Sequence, residues 1–316
     1  MAGRGCGRSG RIVTQLAPRA TTNRRRAFVT PPVVFALVLI PFLIESIGVF
    51  YPAIQGILLS FVRWNGIGIA EPIGLDNYVR LFTADTVFYG ALGNTAIWLV
   101  LFGGLSFIIG LAIALLLQAE RRGVSIYRTA IFLPMVFSLV VTALMWNSIL
   151  QPRGILNEAL RGLGLDDWTR IWLGDPDTAL YAVIVAALWR QIGYVMVLFI
   201  AGLKAIDPTL HEAAHVDGAN AWQRFRFITL PQLRGVNLVI ISLLVIDSLR
   251  SFDIIWAMTG GGPFRSSELL STYMFSTAFT GRQLGYASAI AVVIFLLAIG
   301  VIISYLIRAF SETKED

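Results

Sequence analysis

The chain has 316 residues, of which 56% are hydrophobic and 14% charged, with a formal net charge of +6 and a mean hydropathy of +0.73. Those values exclude a soluble globular domain and define an integral membrane protein. A single cysteine, Cys6, excludes an internal disulfide, and the positive excess gathers in a tail beside an apolar run, where it serves anionic lipid and topology rather than nucleic acid.

Residues 1–30 are rich in Arg, Gly and Thr without apolar periodicity, the pattern of a disordered tail. Arg25-Arg26-Ala-Phe-Val resembles a twin-arginine export signal. The apolar run behind it is too long for an export segment and lacks a small-residue cleavage site, so a retained first span is expected. Six runs of about 20 residues or more, enough to cross roughly 30 Å of hydrocarbon as helices, lie at about 33–61, 91–118, 129–150, 180–203, 236–258 and 284–307. The expected fold is an all-α membrane protein of six transmembrane helices, with a tail at 1–30, a six-span core at 31–310 and a short tail at 311–316. Lys and Arg number sixteen in the two tails, the second loop and the loop after span four, against seven in the other three loops. Both termini are therefore expected in the cytoplasm.

Pro41 and Pro52 should kink span one, whose only charge, Glu45, is expected to face the bundle interior or a water-filled path. The stretch Gly74 to Phe82 suggests a short interfacial helix, and Asn94-Thr95 is expected to open span two. The short basic loop 119–128 makes spans two and three antiparallel neighbours. The longer acidic loop 151–179 carries Trp168 and Trp172, expected as interfacial anchors. Span four carries Trp189, Arg190, Gln191 and Tyr194. Span five carries Asp247, Arg250 and Asp253 at i, i+3 spacing, which puts them on one stripe. Two readings stay open for that stripe: an internal ion pair of Asp247 with Arg250, or a face turned to a water-filled path or a partner. Thr259-Gly-Gly-Gly-Pro263 should end the span.

Between spans four and five lies a polar segment with strong local signals. Asp207 before Pro208 marks the start of a helix to about Val216, Gly218 allows a left-handed turn, and Asn220 with Gln223 has the form of a capping box for a second short helix closed by Pro231. His211-Glu212-Ala-Ala-His215 matches a zinc-protease pattern, but no third ligand is evident in the sequence. No Gly-rich segment runs into Lys and Ser or Thr, so the chain does not cradle ATP. A secondary transporter would be expected to show internal repeats, and no convincing repeat relates the two halves.

Glu212-Ala-Ala, Gly218 and Ile228-Thr-Leu-Pro231 resemble the EAA signature of permease subunits of bacterial binding-protein-dependent ABC importers. Ala201 to Pro208, Phe252-Asp253, Thr259 to Pro263, Gly74 to Tyr78 and Asn94-Thr95 resemble the carbohydrate branch containing the maltose permease. The resemblance, over about residues 31–310, implies a MetI/MalF-like type I importer permease fold in the bacterial cytoplasmic membrane. It implies that this chain is not an enzyme and binds no cofactor, ATP and Mg being used by a partner. It makes Glu212, Ala213, Ala214, Asp217 and Gly218 an ATPase-coupling segment. Implied partners are a second homologous permease, two copies of an ABC ATPase, an extracytoplasmic substrate-binding protein, a sugar and membrane lipid. Glycerol 3-phosphate or a polyol is the alternative substrate. Trp189, Tyr194, Phe252, Asp253 and Trp256 are candidates for the sugar path, each equally readable as helix packing.

Overall fold

The computed structural model describes residue 3, residues 31–118 and residues 123–312. The basic tail with Cys6 and the paired arginines, Arg121 and Arg122, and the last four residues lie outside the described residues. The chain divides into two compact units at Tyr51 and Pro52. In the first unit a helix, Pro31–Glu45, contains Pro41 and leads into one wide turn, Ser46–Phe50. Glu45 is exposed.

Among the described residues four helices are long and apolar enough to cross a membrane: Leu39–Leu59, Thr86–Leu117, Ala179–Lys204 and Leu284–Tyr305. Two further candidate spans are bent pairs, Val124–Val136 with Leu139–Ile149 turning by 100°, and Ala221–Gln232 with Arg234–Arg250 turning by 70°. Most differences from the sequence reading have local causes. The run at 129–150 is not one helix, because Pro134 cannot donate to the ladder and Ser138 turns extended to cap the next helix, accepting from the Val141 amide at 3.3 Å. The run at 236–258 breaks at Ser251 and Phe252 into Arg234–Arg250 and Asp253–Met258. Asn94 and Thr95 sit inside span two rather than opening it, since Asp85 caps the helix that begins at Thr86. Pro231 does not end its helix; a wide turn, Phe225–Thr229, comes just before it and helix continues to Gln232.

In the second unit, Ala179–Lys204 is the central element, with both its apolar and its small residues buried. The small residues bring neighbours to backbone distance. A Cβ on Gly193 would stand 2.1 Å from the Ile131 carbonyl oxygen, and one on Gly110 would stand 2.6 Å from Val195 Cγ1. Large apolar side chains such as Val100, Ile108 and Leu116 remain exposed, as lipid-facing or partner-facing helices require.

The connecting segments are tied down by single polar side chains. Asn77 donates to the carbonyls of Ser60 and Val62 at 2.9 and 3.1 Å, and Tyr78 to Ser60 Oγ at 2.7 Å, which anchors the short helix Asp76–Thr83. Asn94 donates to the carbonyls of Ser266 and Glu268 at 2.9 and 3.0 Å, holding the glycine-rich loop. Trp172 is half-buried and donates to Asn157 Oδ1 at 2.9 Å, so it braces the 151–179 loop, whereas Trp168 is exposed. Asp85 joins three helices: Oδ1 accepts from the Phe88 amide at 2.9 Å, and Oδ2 from the hydroxyls of Tyr273 and Tyr286, each at 2.5 Å. Burial pushes its pKa up, but the two hydroxyls and the amides of Phe88 and Val87 outweigh it and hold the carboxyl below its ordinary value.

Because that pKa is depressed on folding, the carboxylate's contribution is full above the unfolded value near 3.9 and is lost as pH falls through the folded value. Asp85→Asn should cost about 1–3 kcal/mol at pH 7. Thermal midpoints of the two proteins in detergent should differ at pH 7, and the gap should narrow as pH falls below the unfolded value near 3.9; a gap independent of pH would contradict the carboxylate's role.

Candidate functional site

Two places gather the residues singled out by sequence. The first is the segment after span four. Helix Pro208–Val216 starts on Asp207, whose Oδ1 accepts from the Thr209 amide at 2.9 Å, a bond that holds the carboxyl below its ordinary pKa. It ends with the Gly218 amide on the His215 carbonyl at 3.1 Å and the Ala219 amide on the Ala214 carbonyl at 2.9 Å, the paired closure of a Schellman motif. Gly218 sits at φ +79, a conformation that costs most residues about 1–2 kcal/mol. The chain then enters a capping box, with the Asn220 amide on Gln223 Oε1 at 2.8 Å and the Gln223 amide on Asn220 Oδ1 at 2.9 Å. Both helix starts and the turn between them are thus fixed by local bonds.

Outward from that frame little touches the helix. Glu212, Ala213, Asp217 and Gly218 are exposed, Ala214 is half-buried, and Val216 is 88% exposed. Among the described residues Glu212 makes no hydrogen bond or ion pair. A pre-formed helix with a free carboxylate beside two small residues suits a surface that approaches closely and supplies a cation. Among the described residues, no group of three or more His, Cys, Asp and Glu comes together as a metal site.

The second place is a cavity of about 350 Å³ among the spans, where both helix breaks meet. Met135 and Leu139 flank one break, and Arg250, Ser251, Phe252 and Asp253 form the other. Each break leaves backbone carbonyls without helical partners, and side chains satisfy them. Arg190 Nε donates to the Phe137 carbonyl at 3.2 Å, and Ser271 Oγ donates to the Ser251 carbonyl. Gln191 Nε2 donates to Asp247 Oδ2 at 3.3 Å. Arg190, Gln191, Asp247, Arg250 and Asp253 thus share one polar chamber.

The helix break changes the reading of the stripe. Asp253 begins a separate short helix, so the three charges do not share one face of one helix, although all three line the cavity. Asp247 and Arg250 form no ion pair within 4 Å among the described residues; Asp247 bonds Gln191 instead. Of the aromatic candidates, Phe252 lines the chamber and stacks on Trp256 with centroids 5.5 Å apart. Both rings meet Phe275, at 4.7 and 4.9 Å, and Phe275 meets Phe279 at 4.7 Å. Trp189 lies elsewhere, against Phe137 and Trp146 at 6.4 and 6.1 Å, and Tyr194 is half-buried away from the chamber. The i, i+4 spacing of Phe275 and Phe279 was a readable signal for the extended aromatic wall, while the contribution of Ser271 required the fold.

The family model described as "Binding-protein-dependent transport system inner membrane component" matches residues 106–314. The probable ABC transporter permease protein YurN of Bacillus subtilis is 37% identical over 288 residues, covering 89% of this chain and 97% of that protein. The lactose transport system permease protein LacF of Rhizobium radiobacter is 34% identical over 256 residues, covering 80% of this chain and 85% of that protein. A crystal structure of a bacterial ABC transporter involved in import of the acidic polysaccharide alginate shares the fold. Its TM-score is 0.77 at 24% identity, with 88% of this chain and 95% of that chain covered. The chain belongs to the binding-protein-dependent transport system inner membrane component family. It is a multi-pass permease subunit of an ABC importer and not an enzyme, the ATPase being a separate subunit.

Because Cys6 is the only cysteine, Cys6→Ser provides a clean background for testing the chamber. In the purified chain Asp253→Cys should react with a charged, membrane-impermeant thiol reagent. Ile255→Cys, at a position with 0% exposure, should not. Equal reactivity would contradict a water-filled chamber.

Proposed function

We propose that this permease subunit carries a sugar through the chamber formed at the two helix breaks, by alternating access driven through the Pro208–Gly218 segment. The observation that carries this reading is the helix Pro208–Val216, capped at both ends and exposed along Glu212, Ala213 and the following Asp217. Such a helix is ready to dock in a groove of an ATPase subunit. Small residues at 213 and 214 let the partner approach closely, and Glu212 supplies a carboxylate for a cationic group.

The connection from this helix to the chamber is short and stiff. The bent pair ends in Arg234–Arg250, a helix of 17 residues spanning about 25 Å at 1.5 Å per residue. Its near end follows the coupling segment and its far end is the break at Ser251. Motion of the ATPase surface would therefore reach the chamber through one rigid rod. Two such ATPases, using ATP and Mg, would close the cycle together with a second homologous permease and an extracytoplasmic substrate-binding protein. The excess of Lys and Arg in the tails and in the loop after span four supports a cytoplasmic position for this segment, where the ATPase works.

The chamber's chemistry favours a polyhydroxylated cargo. Arg190 and Arg250 stand against Asp247 and Asp253, with the Gln191 amide among them and the stacked rings of Phe252 and Trp256 at the side. Paired donors and acceptors suit hydroxyl groups, and flat rings suit the C–H face of a pyranose. The lactose permease among the relatives supports a sugar.

Gly218→Val tests the coupling role. A Cβ there meets nothing within 4 Å, so the defect would come from the backbone conformation alone, at about 1–2 kcal/mol. Uptake of labelled sugar by cells should fall sharply and part from ATP hydrolysis, with membrane insertion unchanged. Gly218→Asn, which tolerates the left-handed region, should retain more. Wild-type uptake with Gly218→Val would contradict the assignment.

A further inference from the structure

A second cavity, of about 410 Å³, lies between the coupling segment and the end of span two, with Leu115, Gln118, His211, Arg224, Phe225 and Thr229 in its wall. Its chemistry is one-sided. Among the described residues the wall carries a guanidinium, an imidazole, an amide and a hydroxyl, and no carboxylate. Arg224 Nε is buried and has no hydrogen-bond partner among the described residues. Elsewhere in the chain such groups find acceptors: Arg190 Nε has the Phe137 carbonyl and Arg128 Nε the Leu117 carbonyl at 2.9 Å. Among the described residues neither His211 nor Gln118 makes a side-chain hydrogen bond, and the Thr229 hydroxyl has only the distant Arg224 carbonyl at 3.5 Å.

From this concentration of unmatched donors we infer that the cavity is a binding site for a phosphate group. A buried guanidinium N–H without an acceptor costs free energy that a single water could recover, but water would leave the cation uncompensated. A phosphate oxygen satisfies the Nε–H and the charge together, and the guanidinium fork matches its geometry. The depth of the site fits this chemistry. Leu115 and Gln118 mark the end of the membrane-crossing helix Thr86–Leu117, the level at which lipid phosphates lie. A lipid headgroup or a free phosphate would present the same oxygens to Arg224. Bound there, either one would brace the base of the coupling segment against span two.

The test uses the full-length chain purified in detergent, with two probes: inorganic phosphate, read as a rise in thermal midpoint, and phosphatidylglycerol against phosphatidylcholine, read as lipid retained in native mass spectrometry. The site predicts stabilisation by phosphate, preferential retention of phosphatidylglycerol, or both. Phosphate alone would identify a free anion, and phosphatidylglycerol alone a headgroup. Arg224→Gln should weaken the effect roughly tenfold, the scale of one charge-assisted hydrogen bond. Arg226→Gln, at an exposed position outside the cavity, should leave it unchanged. If Arg224→Gln fails to fold, His211→Phe, which keeps a ring and removes the donor, should also weaken binding. No response to either probe would overturn the inference, as would equal losses in the Arg224 and Arg226 variants.

Discussion

The constraint on which this structure depends is that hydrocarbon offers no partner to a backbone amide or carbonyl. A helix in the membrane meets that demand internally, and a broken helix does not. This chain breaks two of its spans, at Phe137 and Ser138 and at Ser251 and Phe252, and turns both breaks to one chamber. The freed carbonyls of Phe137 and Ser251 are met by Arg190 and Ser271. Arg190 therefore has a structural duty as well as a charge to offer, and the chamber exists because the breaks need a polar lining. Irregular backbone at this depth is tolerated where it is buried in protein or lines water, which makes the chamber the natural place for a hydrophilic cargo.

Around that centre the chain divides its work between close backbone packing and isolated polar ties. Gly193 and Gly110 let neighbours approach Ala179–Lys204 at distances that side chains would forbid. Asp85, Asn77, Asn94 and Asn157 each hold a connecting segment with two or more hydrogen bonds. The helix Pro208–Val216 is built differently: caps fix its shape, and most of its surface is left bare. Rigid geometry with unspent surface belongs to an element that acts on something outside the chain.

Much of this was legible in sequence where the cause is local. The cap at Asp207, the turn at Gly218 and the capping box at Asn220 and Gln223 follow from side chains within three residues of one another, and the observed elements begin and end there. Family membership was likewise readable from Glu212-Ala-Ala through Pro231. The helix breaks were less so. Pro134 and Ser138 were local signals for the first break, but hydropathy runs unbroken across them, and the i, i+3 spacing of Asp247, Arg250 and Asp253 suggested a single stripe; neither pattern reports the Arg190 and Ser271 donors that meet the freed carbonyls. Trp189 and Trp256 looked alike as aromatic residues in polar surroundings. Only tertiary packing separates Trp189, against Phe137 and Trp146, from Trp256, stacked on the chamber residue Phe252.

The central claim is that this chain moves its cargo only as one subunit of an assembly powered by a separate ATPase. The most direct measurement is mass spectrometry of what co-purifies with the tagged chain after gentle solubilisation from its native membrane. The account predicts an ATPase with a phosphate-binding loop and a second permease, the ATPase in two copies. A chain recovered alone, still competent for uptake after reconstitution, would contradict it.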